Sequence, residues 1–141
     1  MLYDIVVIDI DKIKQQIKEL AEKYGLSLVV LFGSQVTGRT HKESDVDFAF
    51  TADKYISPRE TAEIIFDFTR CLKIGANIEL VNLKNASPLL LKQIAMNSLL
   101  MHEKEPHAYN LFKIYAIKKY MEDSKLLKLR NLSLNKFLQK I

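Results

Sequence analysis

The sequence predicts an α/β (α+β) fold, a small mixed β-sheet flanked by helices with further helices at the C-terminal end. Three observations predict it. Short β-branched apolar runs alternate with longer segments of helical period. Two of those helical segments open with the same Ser-Pro start signal. All the apolar runs are far shorter than the roughly 18 residues that a membrane-spanning helix needs.

The elements follow in order. YDIVVIDI near the N-terminus fits either an edge strand or a helix lead-in. Residues 11–23 place Ile13, Ile17, Leu20 and Ala21 on one side of a helix, with lysines and glutamates between them, and Gly25 ends it. LSLVVLF, 26–32, is too short for a globular helix and reads as a strand buried on both faces. DVDFAF, 45–50, is the second strand. Ser57, Pro58 and Glu60 form a cap, a first-turn proline and a capping-box acid, opening a helix that runs to about Leu72. Gly75 separates it from a third strand, NIELVNL, 77–83. Ser87-Pro88 opens a helix to about Asn97, and LLMHE, 99–103, is a short strand. A helix follows from about Pro106 to Asp123, with a helical tail after it.

The length of 141 residues suits one domain: a core over about 11–103 and a helical extension over about 106–141. Apolar residues make up 48% and charged residues 27%, the balance of a soluble globular protein. MLYDIVVIDIDK lacks the basic segment and cleavage site of a secretion signal, and the lone Cys71 makes no internal disulfide. Both fit a reducing cytoplasm with no membrane association. Cys71 reads as a buried structural thiol. The net charge of +4 mildly favours anionic partners, though much of the excess sits in the tail KLLKLRNLSLNKFLQKI.

The chemistry concentrates in LFGSQVTGRTHKESDVDFAF, 31–50. Asp45 and Asp47 are two apart, so on a strand both point to one side, roughly 6–7 Å from each other. Like charges so placed repel. Divalent cations resolve the conflict: Mg²⁺ takes one or two protein carboxylates and completes its octahedron with water and phosphate oxygens. Two carboxylates at this spacing are able to bridge a pair of metals about 4 Å apart, as in phosphoryl and nucleotidyl transfer. Gly33 allows a tight turn and close backbone approach to a ligand. Ser34 offers a hydroxyl and an N–H where a helix would begin, a place that suits phosphate. Gly38 permits a second turn, and Arg39 and Lys42 add positive charge. The loop is not a Walker A motif. Glu79, the only acid in NIELVNL, becomes a third carboxylate if that strand pairs beside 45–50. There it is placed to accept a proton or share a metal.

GSQVTGRTHKESDVD, 33–47, resembles the GS-x10-D-x-D signature of the DNA polymerase β-like nucleotidyltransferase superfamily. The short chain resembles in particular the minimal nucleotidyltransferases, the MNT proteins, in pattern over roughly 26–103. The resemblance implies a small palm that binds Mg²⁺, two ions, with ATP as substrate. It assigns the triphosphate to Gly33 and Ser34, with Arg39 beside them, metal to Asp45 and Asp47, and the third acid to Glu79, where aspartate is the commoner residue. It further implies an antitoxin that transfers AMP to a tyrosine of a HEPN ribonuclease toxin, its protein partner. Two other readings stay open: an antitoxin acting by contact alone, and a nucleotidyltransferase acting on a small molecule or an RNA end.

Other residues have blander readings. His41 reads first as an exposed loop histidine, with a phosphate contact as the sharper alternative. His102 and His107 bracket a surface turn, HEKEPH, with no further ligand for zinc. Tyr109, Phe112, Tyr115, Ala116 and Tyr120 share a helix face that reads first as core, with an oligomer seam or a partner-docking face as the sharper alternatives. The lysines of the tail read as a solvated face. No aromatic-interleaved RNA-binding signature appears, so nucleic acid is not an expected direct partner. The oligomeric state stays open.

Overall fold

The computed structural model describes residues 9–33, 36 and 45–140. The N-terminal YDIVVIDI, apart from its last two residues, lies outside them. Four helices, four strands and one short 3-10 turn are described. They are α1 (Ile10–Tyr24), β1 (Leu26–Phe32), β2 (Val46–Ala52), α2 (Pro58–Leu72), β3 (Ile78–Asn82), the turn Leu83–Asn85, α3 (Pro88–Met96), β4 (Ser98–Glu103) and α4 (Ala108–Gln139).

The sheet order is β3-β2-β1-β4. β1 runs antiparallel to both β2 and β4, while β2 and β3 are parallel, so the sheet is mixed as expected. The parallel pair needs a crossover, which α2 supplies.

Local signals explain the helix limits. The Asp9 carboxylate accepts from the Lys12 N–H at 3.3 Å, and Gly25 closes α1 with φ +70°. Ser57 Oγ accepts from the Glu60 N–H at 3.1 Å. Ser87 Oγ accepts from the Leu90 N–H at 3.2 Å. Both Ser-Pro signals are thus working N-caps. The C-terminal helix differs from its expected limits. It starts at Ala108, not near Pro106, and runs unbroken through Asp123 to Gln139. Lys, Leu and Arg dominate that stretch and all favour helix, so no breaker divides it.

Both faces of the sheet are covered. On one face Val29, Leu31, Phe48 and Phe50 pack against Ile17 of α1 and Phe68 of α2. The Phe48 and Phe68 rings meet edge to face, 5.5 Å between centroids. On the other face Leu28, Val30 and Ala49 pack against Leu91 and Ile94 of α3 and Phe112 and Ala116 of α4. β1 is therefore buried on both sides, as its continuous apolar run predicts. Asp67 is the one buried charged residue described. It accepts from Tyr24 Oη, from Lys23 Nζ at 2.9 Å and from Arg70 at 3.2 Å, clamping α2 to α1.

Two minor expectations change. His102 is not on a surface turn: it lies within β4, half-buried, and burial lowers its pKa. Cys71 is only partly buried, at the edge of the first core.

Candidate active site

Where β1 ends, the chain must turn within van der Waals reach of β2. Gly33 makes the turn with φ +83°, a left-handed conformation that side chains disfavour. A Cβ added there would strike the Asp47 carboxylate and lie 3.2 Å from its Cγ. Glycine is thus required twice at this position, for its torsion and for the absence of a side chain. The Val36 N–H then donates to the Gly33 carbonyl at 3.1 Å, so the backbone curls immediately.

Asp47 sits in a row fixed by strand register. Across β1 its partner is Phe32, and across β3 it is Glu79. Phe32 in turn pairs with Ser98 of β4. Directly paired residues share a sheet face. One end of the second face therefore reads Ser98, Phe32, Asp47, Glu79 across about three interstrand spacings of 4.8 Å. Asp45 lies one residue before β2 begins, a departure from the expected strand start, and its charge still reaches Asp47.

The electrostatics of the row are unfavourable by themselves. The Asp47 carboxyl is pushed up from 3.8 to about 6. Partial burial is the main cause. The hydrogen bond that protonated Asp47 donates to Glu79 follows, then the negative charges of Glu79 and Asp45. Among the described residues no lysine or arginine forms an ion pair with these acids. Among the described residues, therefore, no cation pairs with the partly desolvated Asp47. That is the setting in which a hard divalent ion is favoured, and carboxylate oxygens are its preferred donors. Among the described residues the acids are not gathered into a ready cluster of three metal ligands. The fit is to an ion held by one or two carboxylates, with ligands from elsewhere.

Ser34 and Arg39, assigned to phosphate by the resemblance, lie outside the described residues, as do Gly38, His41 and Lys42. Phe32 and Ser98 carried no signal in the sequence, because only strand pairing brings them into the row. Ser98 Oγ lies 2.7 Å from the Tyr109 hydroxyl, which also donates to the Ser98 carbonyl at 2.9 Å. An apolar cleft of about 350 Å³, lined by Leu28, Thr51, Leu83, Leu91, Phe112 and Tyr115 among others, is a separate feature. Its strand residues lie four positions along β1 and β2 from the acid row, roughly 13 Å away.

A mixed four-stranded sheet with a glycine turn facing strand carboxylates defines a nucleotidyltransferase palm. The model of the polymerase β nucleotidyltransferase family matches residues 15–107, and the chain belongs to that family. No curated protein sequence matches it. Among solved structures it resembles a chain of a toxin–antitoxin complex with AMP-PNP. That match has a TM-score of 0.70 and 23% identity, and covers 89% of this chain and 98% of that one. It also resembles a chain of the tri-AMPylated HEPN toxin of Shewanella oneidensis in complex with its MNT antitoxin. There the TM-score is 0.66 and the identity 20%, with coverage of 92% and 98%. A chain of the MntA–HepT toxin–antitoxin complex aligns with a TM-score of 0.65 at 20% identity, covering 91% and 98%. At these identities the likeness is one of fold.

Proposed function

We propose that this chain transfers AMP from ATP to the hydroxyl of a tyrosine on a HEPN-class toxin and so acts as its antitoxin. The observation that carries this reading is the registered pair Asp47–Glu79, with Asp45 beside it and the Gly33 turn against it. The complexes containing AMP-PNP and an AMPylated toxin, found among similar folds, support the choice of nucleotide and acceptor.

Asp45 and Asp47 are the residues that would hold Mg²⁺. When bound, the ion would supply charge neutralisation at the phosphates. The chain itself does the rest. Gly33 lets the backbone approach the triphosphate, and by their place in the motif Ser34 and Arg39 bind its outer phosphates. The acceptor oxygen attacks the α-phosphorus in line, the bond to the β-phosphate oxygen breaks, and pyrophosphate leaves. Glu79, exposed at the rim of the row, takes the proton of the attacking hydroxyl. With its longer side chain it reaches the row from β3, where an aspartate would sit further back.

The similar folds are chains of toxin–antitoxin complexes, which also suits one second reading, an antitoxin that works by contact alone. Label transfer from α-phosphate-labelled ATP separates the two. The purified chain is added with Mg²⁺ to extract of its own cells, beside the Asp45→Asn, Asp47→Asn double variant. A labelled protein band made only by the unsubstituted chain supports AMP transfer. No label in any fraction, with the chain folded, leaves contact alone. Label in tRNA instead of protein removes the antitoxin assignment.

A further inference from the structure

We propose that residues 125–140 of α4 form a docking arm that inserts into an acid-flanked, leucine-lined groove of a helical partner protein. The arm lies wholly beyond residues 15–107, which the nucleotidyltransferase family model matches. The sheet holds α4 through Phe112 and Ala116, and contact fades through half-buried Tyr120 and Ser124. From Lys125 onward every described residue of the helix is exposed, over about 24 Å at 1.5 Å per residue.

The lysines of this arm are solvated as expected, but its apolar residues are exposed with them. Its large apolar side chains, from Leu126 to Leu138, are each more than half exposed. At 100° per residue Leu127, Leu134 and Leu138 fall within about 40° of Ala116, so they continue the stripe that packs on the sheet. Nothing described in this chain lies opposite them. Leu129 and Leu132 point to the other side of the helix. A helix that is apolar on opposed sides is ordinarily enclosed by other elements.

Charge and shape select the occupant. Lys125, Lys128, Arg130, Lys136 and Lys140 lie on the arm, and there is no acid from 124 to 140. Against a net charge of +4, these five cations leave the rest of the chain within one charge of neutrality. A second copy therefore offers neither a complementary arm nor a strongly acidic body. An anionic membrane plane matches the charge but buries only one side, leaving Leu129 and Leu132 or Leu127 and Leu134 in water. A groove between helices, rimmed by Asp and Glu, covers both sides and pairs the lysines. That this partner is also the AMP acceptor rests on the function proposed above; the docking itself does not.

The test uses the full chain and two labelled helical peptides of about 25 residues. They share one leucine seam, flanked in one peptide by glutamates and in the other by lysines. Fluorescence anisotropy is expected to show the glutamate peptide binding at least about tenfold more tightly. The Leu127→Glu, Leu134→Glu, Leu138→Glu variant is expected to lose that binding while keeping the unsubstituted melting temperature, since all three side chains are exposed. Equal binding of both peptides, or binding of neither, overturns the proposal. So does a dimer seen by light scattering, or adhesion to phosphatidylserine vesicles, that the triple substitution abolishes. Glutamate-peptide binding in a chain that labels no acceptor leaves the docking standing and removes the AMP-transfer reading.

Discussion

Asp47→Asn should stabilise the metal-free protein while abolishing its transfer activity. Asp47 titrates near 6 in the folded chain against 3.8 for a free carboxylate. The folded state therefore holds the proton more tightly than the unfolded state does. Stability is fully present below about pH 4 and is lost as pH rises through about 6. At 1.36 kcal/mol per unit, a shift of about two units sets a ceiling of about 3 kcal/mol. Asp47 is only half-buried, and solvent screening reduces this to about 1 kcal/mol. Asparagine keeps the shape and removes the charge. Near pH 7.5 the variant should melt about 3 °C higher than the unsubstituted chain, and near pH 4 the difference should vanish. Thermal melts at both pH values, without metal, measure this. Mg²⁺ with ATP should then raise the melting temperature of the unsubstituted chain and leave the variant unmoved. A variant less stable near pH 7.5, or a difference independent of pH, would refute the account of Asp47 as a partly desolvated carboxylate among like charges.

Other substitutions test other links. Gly33→Ala adds left-handed strain of about 1–2 kcal/mol and drives a methyl into the Asp47 carboxylate, so melting temperature and label transfer should both fall. Phe68→Ala empties the fully buried centre of the first core and should cost about 3–5 kcal/mol in urea unfolding, with no pH dependence. Asp67 lies below the usual carboxylate range because Tyr24 and Lys23 bond it, with Arg70 adding to them. Its contribution is present above the ordinary value of 3.8 and is lost as pH falls through its lowered pKa. Asp67→Asn should therefore lower stability at neutral pH and flatten that acid limb in pH-dependent melts. Glu79→Gln should depress the rate of AMP transfer more than the affinity for ATP, read as kcat against a nucleotide-binding titration.

Much of the fold was legible because its signals are local. The spacing of Ile13, Ile17, Leu20 and Ala21 names the buried side of α1, and those four residues are its buried set. Ser57-Pro58 and Ser87-Pro88 mark caps that need only the next three residues to form. The unbroken apolar run of β1 requires cover on both sides, and two separate cores supply it. Asp45, Asp47 and the Gly33 turn were visible because carboxylates and glycine are conspicuous against an apolar strand.

What pairing decides was not legible. No spacing in one dimension states that Phe32 and Ser98 join the row of Asp47, or that Asp67 is claimed by Tyr24 from another helix. The elevated Asp47 pKa likewise needs Glu79 brought alongside by the parallel β2–β3 register, across some thirty residues of intervening chain. The apolar residues of the tail are equally clear in the sequence, but only the packing shows that the sheet ends before them and leaves them uncovered. Helix periodicity and capping act within a few residues, so a sequence states them directly. Register, desolvation and the reach of a core arise between distant segments, and only the folded chain sets them.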